Sequence, residues 1–355
     1  MAKIAILGYG VVGSGVAQVL TENASLISDR LGGETIDIKY ILDLRDFPGD
    51  PMADRVIHDF ERIVSDPEIS VVAEMMGGSH PAFEFSMAAL KAKKSVVTSN
   101  KELVANFGAE LLQTANENGV RYRYEASVGG GIPCIAAIEN SMAGNEITEI
   151  NGIVNGTTNY ILTEMFEKGL SFEECLADAR AKGYAEANPA ADVEGTDACR
   201  KICILGALAF GKLIPPELVE THGITEVTKA DVERAAAQDC VIKLIARAVK
   251  QPCGKIHLRV APFMVKKSNP LSNISGVFNG ILIHGNAVGD LMLYGAGAGK
   301  RPTASAVVSD IIDIVMHKND VRLNQIWERD PSLYTASLTP ESEQSMLSSL
   351  GTPLL

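Results

Sequence analysis

A glycine-rich turn near the start of the chain limits the possible folds more than any other feature. The motif GYGVVG, residues 8–13, follows a strand-like run at 3–7 and opens an apolar segment that predicts a helix from Val11 to about Ser28. Its G-x-G-x-x-G spacing permits a tight turn and a close approach of the backbone to a pyrophosphate, which binds the free N–H groups of the helix amino terminus. We therefore predict a dinucleotide-binding site, and its residues are Gly8, Gly10, Val11, Val12 and Gly13.

The first 130 residues alternate strand and helix patterns. Beyond the first strand and helix, the pattern predicts strands at 36–42, 71–75, 95–98 and 120–124, and helices at 81–92 and 108–118. Strands that are separated by helices form a parallel sheet with right-handed crossovers and helices on both faces. The expected fold class is α/β, with a Rossmann-type doubly wound parallel sheet in residues 1–130.

A second domain is predicted after the run GGGIP, residues 129–133, where flexible glycines meet a rigid proline. Residues 131–300 mix helix and strand patterns and predict an α+β domain. A helix at about 302–318 has small and apolar residues that suit packing on the first domain. Residues 331–355 are rich in Ser, Thr and Pro, and we expect a loosely held tail.

Composition limits the function classes. A net charge of −12 argues against a nucleic-acid partner. No apolar run approaches the roughly 20 residues that span a bilayer, so no membrane partner is expected. The amino terminus lacks the pattern of a secretory signal, and the six cysteines include no C-x-x-C pair for a zinc site. We expect a cytoplasmic protein that acts on a small-molecule substrate.

A segment rich in carboxylates leads into an apolar helix in the second half of the chain. GYAEANPAADVEGTDACRK, residues 183–201, precedes ICILGALAFG, so a helix that begins near Thr196 is buried along most of its length. Asp197 and Lys201 share one face of that helix, and the carboxylate can hold the ammonium in place. Such a lysine can take a hydroxyl proton as a hydride leaves, and return it in the reverse reaction. A solvated surface salt bridge is the plain alternative.

Three further segments are candidates for ligand binding. Lys101 follows a predicted strand, at the edge where open α/β sheets bind ligands, although lysine is more often simply exposed. Past the second strand, Asp43 and Asp46 suit a ribose 2′-OH whereas Arg45 suits a 2′-phosphate, so NAD and NADP stay equally possible. NGTT, which includes Thr157, either offers backbone donors to a substrate carboxylate or only caps a helix.

Seven blocks of the sequence resemble homoserine dehydrogenase, in the family's order and at similar spacing, from Met1 to about Asp320. They are GYGVVGSG, EMMGG, TSNKELVA, YEASVGGGIP, NGTTNYIL, GYAEANPAADVEGTDACRK and LYGAGAGKRPTASAVVSDI. The resemblance implies an oxidoreductase that uses NAD or NADP to interconvert L-homoserine and L-aspartate 4-semialdehyde in threonine, methionine and isoleucine biosynthesis. It also implies a homodimer joined through the sheet of the second domain, which would serve catalysis, substrate binding and dimerisation.

The resemblance implies roles for individual residues. Lys201 would be the catalytic acid/base, with Lys101 as a second lysine of the active site, and Glu186 and Asp197 would hold the substrate. The residues that would line the cofactor are Gly77, Gly183 and Gly299. A monovalent cation, sodium or potassium, would bind a set of oxygen atoms from Glu125, Val128, Gly130 and Ile132.

Two rival functions stay open from the sequence. Another two-domain NAD(P)-dependent dehydrogenase of a small amino or hydroxy acid would share the fold, but the carboxylate-rich segment favours an aminated substrate. A nucleotide sensor without catalysis would not need Lys201 and Asp197 together. Family members often carry a carboxyl-terminal regulatory domain, and because the sequence ends at Leu355 without one, we expect no feedback control by threonine.

Overall fold

A computed structural model describes residues 1–320 and 324–354 of the chain. Contacts between Cα atoms divide the chain into two compact units. Unit 1 comprises Met1–Pro133 and Ala298–Trp327, and unit 2 comprises Cys134–Gly297 and Glu328–Leu355. Within the described ranges, no helix combines the length and apolar character needed to cross a membrane.

The regular elements are numbered in chain order. The strands are β1 (Ala2–Leu7), β2 (Ile36–Leu42), β3 (Val56–Ile57), β4 (Ile69–Glu74), β5 (Ser95–Thr98), β6 (Tyr122–Arg123), β7 (Ile147–Ile153), β8 (Lys212–Leu213), β9 (Glu220–Thr221), β10 (Cys240–Lys250), β11 (Ile256–Lys266), β12 (Phe278–Gly285), β13 (Gly289–Ala296), β14 (Glu328–Arg329) and β15 (Gly351–Pro353). The helices are α1 (Val11–Glu22), α2 (Ala24–Arg30), α3 (Glu61–Val64), α4 (Ala82–Lys91), α5 (Lys101–Glu117), α6 (Cys134–Ala136), α7 (Gly156–Lys168), α8 (Phe172–Ala181), α9 (Ala190–Val193), α10 (Thr196–Phe210), α11 (Lys229–Ala237), α12 (Lys300–Met316) and α13 (Pro340–Ser349).

Unit 1 is built on a six-stranded parallel sheet in the order β3-β2-β1-β4-β5-β6. Its central strands are apolar runs that are buried on both faces, as expected when helices cover a parallel sheet. α1 packs against α12, and Val307 and Ile311 of α12 join Ile4 and Ile6 of β1 in one hydrophobic core. The predicted α/β class with a doubly wound parallel sheet is confirmed.

The first predicted helix differs from the structure. It was expected to run from Val11 to about Ser28, but α1 ends at Glu22 and α2 begins at Ala24. Asn23 separates them with φ −104° and ψ 16°, outside helical geometry. The apolar pattern continues across the break, which is why the sequence did not reveal it.

Unit 2 contains a mixed seven-stranded sheet with the main order β13-β12-β7-β10-β11-β15, and β9 pairs with β11. Its longest ladder joins β10 and β11 over eleven antiparallel residue pairs. α10 packs on one face of this sheet, against β7, β10 and β11. The second face carries a separate core, in which Ile245 and Phe263 pack with Leu271, Met346 and Leu350.

The carboxyl-terminal segment differs from its prediction. Residues 331–355 were predicted to be loosely held, but α13 buries Met346 and β15 pairs with β11. Thr339 caps α13 by accepting the backbone N–H of Ser342. The prediction was wrong because the segment is polar overall, whereas Met346 and Leu350, one helical turn apart, are buried in the core and Leu338 packs against it.

Candidate active site

Lys201 and Asp197 form a buried ion pair on the first two turns of α10. Lys201 Nζ lies 2.8 Å from Asp197 Oδ2 and donates a second hydrogen bond, of 2.6 Å, to the carbonyl oxygen of Val154. The side chains are only 10% and 5% exposed. Because both groups are shielded, the pair is unlike the solvated surface salt bridge that the sequence left open.

Asn155 links this pair to a second carboxylate. Its Nδ2 donates to Asp197 Oδ2 at 2.9 Å and to Asp192 Oδ1 at 2.7 Å. Its Oδ1 accepts the backbone N–H of Thr158 at 2.9 Å, so Asn155 is the N-cap of α7. The sequence suggested a cap at NGTT, but it gave no sign that the capping side chain also contacts the residues before and within α10.

The loop between α8 and α9 carries two further predicted residues. Gly183 and Glu186 are both exposed there. Thr157 Oγ1 donates to the carbonyl of Tyr184 at 2.7 Å, which ties this loop to the first turn of α7. The Tyr184 ring also packs on Tyr160 at 5.0 Å between centroids. The structure thus brings Thr157 and the loop together, and it leaves the Glu186 carboxylate facing solvent.

In unit 1, several predicted cofactor residues line one cavity of about 510 Å³. Gly8, Gly10, Arg45 and Gly77 all belong to its wall. A Cβ at Gly8 would lie 2.9 Å from the carbonyl oxygen of Met75, and φ at Gly8 is +87°, so glycine is required there. Val11 and Val12 are the first two residues of α1, and they are exposed and half-buried respectively.

Aromatic side chains form an apolar wall of the same cavity. Phe60 and Phe85 stack with their ring centroids 4.0 Å apart, and both line the cavity beside Pro81. A flat apolar wall next to a glycine-rich turn suits the planar base of a dinucleotide. The sequence did not predict these residues, because isolated phenylalanines outside a motif carry no signal for ligand binding.

Asp43 and Arg45, after β2, are paired with each other. Arg45 donates from Nε and Nη2 to the two carboxylate oxygens of Asp43 at 3.0 and 3.1 Å, and the Tyr9 N–H donates to the same carboxylate at 2.8 Å. Arg45 is the main cause that lowers the pKa of Asp43 to about 2. His58 contacts the Asp43 carbonyl and Asp46 Oδ1, and the backbone contact chiefly raises the pKa of its imidazole. Asp43 and Asp46 therefore remain candidate ligands for the ribose of NAD, and Arg45 remains one for the 2′-phosphate of NADP.

A buried carboxyl group connects the two loops that follow β4 and β5. Glu74 accepts hydrogen bonds from Thr98 Oγ1 at 2.6 Å and from the Met76 N–H at 2.7 Å. Burial is the main cause that raises the pKa of Glu74. Asn100 then caps α5, whose first residue is the predicted Lys101. The sequence placed the loops correctly at the strand ends but missed Glu74 as their link.

The predicted cation residues follow β6. Glu125 is 4% exposed in a 3₁₀ turn, and its backbone N–H donates to Asp310 Oδ2 of α12 at 2.9 Å. Val128 and Ile132 are buried in the following turn, with Gly130 between them. The described residues hold no group of three or more His, Cys, Asp or Glu side chains suited to a metal. The predicted set has one carboxylate and three carbonyls instead, and the cation stays a prediction.

Comparison with known proteins gives the family. A model of the homoserine dehydrogenase NAD-binding domain matches residues 8–125, and a homoserine dehydrogenase model matches residues 133–312. The chain belongs to the homoserine dehydrogenase family. Homoserine dehydrogenase of Synechocystis sp. is 42% identical over 318 residues, covering 88% of this chain and 73% of the relative. That of Pseudomonas aeruginosa is 43% identical over 314 residues, covering 88% and 72%.

Solved structures of the family are similar over most of the chain. The homoserine dehydrogenase of Thiobacillus denitrificans has a TM-score of 0.86 at 38% identity and covers 95% of this chain and 79% of its own. A hyperthermophilic archaeal homoserine dehydrogenase mutant in complex with NADPH has a TM-score of 0.75 at 31% identity, covering 88% and 97%. These likenesses confirm the predicted family, the oxidoreductase class and the NAD-binding fold.

Proposed function

We propose that this chain interconverts L-homoserine and L-aspartate 4-semialdehyde, with NAD or NADP as the hydride carrier, in amino-acid biosynthesis. The observation that carries the proposal is the buried Lys201–Asp197 pair in a chain of this family. In the oxidation, the carbinol carbon loses a hydride to the nicotinamide and the hydroxyl group loses its proton to a base. In the reduction, the aldehyde gains the hydride and its oxygen gains the proton.

Lys201 is the proposed acid/base. Its uncharged amine accepts the hydroxyl proton in one direction, and its ammonium returns the proton in the other. Asp197 and the Val154 carbonyl hold Nζ by two hydrogen bonds, which fixes its direction before the substrate arrives. Burial supports this role, because it shields the amine and its two hydrogen bonds from bulk water.

The substrate also has an ammonium and a carboxylate that need partners. We assign the ammonium to Glu186, whose exposed carboxylate is available in the loop after α8, with Asp197 as a further substrate-holding carboxylate. The carboxylate of the substrate suits the amino terminus of α7 at Thr157, where backbone N–H groups and the helix dipole favour an anion. Lys101 is proposed as the second active-site lysine, at the amino terminus of α5.

The cavity of unit 1 supports the proposed dinucleotide site. Gly8, Gly10 and Gly77 would approach the pyrophosphate, and Arg45 would approach the adenosine ribose. Gly13, Val11, Val12, Lys101, Gly183 and Gly299 complete the proposed set. The archaeal relative with bound NADPH supports NADP as one of the two cofactors. When bound, the nicotinamide supplies the hydride chemistry.

Three finer assignments complete the proposal. Sodium or potassium binds Glu125 with the carbonyls of Val128, Gly130 and Ile132, and the protein acts in the cytoplasm. The chain forms a homodimer through the sheet of unit 2, at whose edge the exposed rings of Phe278 on β12 and Tyr294 on β13 lie 5.2 Å apart. Light scattering tests the dimer, because a monomer mass at micromolar concentration would contradict it.

One assay tests the reaction. Oxidation of NADH and of NADPH is followed with L-aspartate 4-semialdehyde, and with succinate semialdehyde as the matched compound that lacks the amino group. We expect efficient turnover of the amino compound and a much higher KM, with a slower rate at equal low concentration, for the compound without it, since Glu186 then loses its partner. Equal turnover of both would favour the alternative dehydrogenase of a small hydroxy acid, and no turnover of either would contradict the proposal.

A further inference from the structure

We propose that Asn155 is a positioning residue that holds Asp192 and Asp197 side by side and so fixes the carboxylate that pairs with the Lys201 ammonium. The inference rests on the proposed function and adds a residue to it. Asn155 is 5% exposed, and its amide is fully engaged. Two N–H bonds go to two different carboxylates, at 2.7 and 2.9 Å, and the amide oxygen accepts from the N–H and the hydroxyl of Thr158.

These partners fix the orientation of the amide. A flipped amide would turn its oxygen toward two carboxylates and its NH₂ group toward a backbone N–H, and both contacts would be repulsive. Asp197 is buried and Asp192 is half-buried, and two carboxylates that share one donor repel each other. The shared NH₂ group donates to both carboxylates, offsets that repulsion and holds the two side by side.

The same stretch of backbone reaches the lysine by a second route. The carbonyl of Val154 accepts from Lys201 Nζ, and the next residue, Asn155, donates to the carboxylate that accepts from the same Nζ. Asp197 Oδ2 thus receives one N–H from the lysine and one from the amide. The junction between β7 and α7 therefore sets the direction of the Lys201 amine as well as the start of the helix.

A capping role alone would give a different result on substitution, which makes the proposal testable. Asn155→Asp keeps a capping oxygen, since aspartate is as good an N-cap as asparagine. It removes the NH₂ group and adds a third carboxylate beside Asp192 and Asp197. If Asn155 only caps α7, the variant should therefore keep full activity. If it positions the carboxylates, the chemical step should slow.

The matched control is Asn269→Asp. Asn269 is also a buried N-cap of unit 2, at 6% exposure, and its Nδ2 donates to the Ser349 carbonyl at 3.0 Å, away from the lysine. The steady-state rate of homoserine oxidation is measured across pH for Asn155→Asp and Asn269→Asp. Melting temperature and NADPH affinity show whether each variant is folded. Asn155→Ser, which caps but cannot reach both carboxylates, is the second variant and does not add charge.

We expect both Asn155 variants to lose about tenfold to a hundredfold in kcat, the usual effect of removing a residue that orients a functional group, while Asn269→Asp keeps wild-type kcat. In Asn155→Asp the added carboxylate changes the charge beside the Lys201–Asp197 pair, so the pH profile of kcat should differ from that of wild type, whereas the profile of Asn269→Asp should not. The charged groups that face Lys201 directly or through Asn155 are Asp197 on α10 and Asp192 on α9.

Two results would overturn the inference, and they differ from failure of the function itself. Wild-type kcat and pH profile in both Asn155 variants would show a helix cap and nothing more. Equal losses in Asn155→Asp and Asn269→Asp would show a general effect of buried charge. If the unaltered chain does not oxidise homoserine at all, the proposed function fails and the positioning role falls with it.

Discussion

Two buried lysines of unit 2 have different surroundings. Lys201 has a carboxylate partner, whereas the Lys243 ammonium donates to the Ile274 carbonyl at 2.5 Å and to Asn159 Oδ1 at 3.1 Å. Burial lowers the pKa of Lys243 to about 8. A neutral acceptor does not offset desolvation as a carboxylate does, so the charged form of Lys243 destabilises the fold.

This contrast predicts a pH-dependent effect of Lys243→Met. Between pH 8 and the ordinary lysine pKa of about 10.4, the unfolded chain binds more protons at this position than the folded one. The contribution of Lys243 to the free energy of unfolding therefore rises with pH. Methionine does not titrate. The melting temperature of Lys243→Met relative to wild type should therefore fall between pH 7 and pH 9.5. Lys250→Met, at the exposed end of the same strand, is the control, and parallel curves for all three proteins would refute the account.

Cofactor choice is predicted to depend on Arg45. Its side chain is 63% exposed and its guanidinium is held beside the cavity by Asp43, so it can meet a 2′-phosphate with little rearrangement. Arg45→Ala should weaken NADPH binding more than NADH binding, as measured by fluorescence titration. Arg55→Ala, which removes an exposed arginine outside the cavity, is the control. An equal loss for both cofactors would remove Arg45 from phosphate recognition.

At the scale of elements, the carboxyl-terminal segment is part of the core of unit 2. Leu350 is fully buried at the end of α13, whereas Leu347 on the same helix is 40% exposed. Leu350→Ala should lower the free energy of unfolding by about 2–5 kcal/mol. Leu347→Ala should change it by no more than about 0.5 kcal/mol. Equal effects in denaturant titrations would mean that α13 is not anchored as described.

The sequence predicted those elements whose local pattern agrees with their surroundings. α10 begins at Thr196 as expected, because a capping glycine, an acidic first turn and a long apolar run all favour the same helix. The sequence pattern does not predict β10, since its two buried cations, Lys243 and Arg247, interrupt the apolar pattern of a strand. Their burial depends on partners distant in sequence, such as Asn159 and Glu149.

The candidate site follows the same division: its local features were predicted, and its contacts between distant residues were not. The glycine motif and the Asp197–Lys201 spacing are local, so the sequence revealed them. Asn155 and Asp192 contact residues that lie up to 42 positions away, so no spacing rule indicates them. The arrangement depends on where α7, α9 and α10 pack, which only the folded chain determines.

At the scale of the whole molecule, the proposed functions are divided between the units. Most of the proposed cofactor residues and the cation set belong to unit 1, and the acid/base belongs to unit 2. The cation is predicted to stabilise the turn at Glu125, because one carboxylate and several carbonyl oxygens suit a hard cation. Activity and melting temperature should both be higher in sodium or potassium than in tetramethylammonium at equal ionic strength, and Glu125→Gln should lose that difference. Identical values in all three salts would contradict the cation site.

The central claim is that Lys201 transfers the proton while Glu186 holds the substrate, and one set of kinetic measurements tests it most directly. Lys201→Met keeps length and apolar character, so the account predicts intact NADPH binding and a kcat for homoserine oxidation that is lower by about 10²–10⁴-fold. Glu186→Gln, measured beside it, should mainly raise KM, since it removes a contact made in the ground and transition states alike. A Lys201→Met enzyme that retains more than about a tenth of the wild-type kcat would show that the lysine is only a buried ion-pair partner.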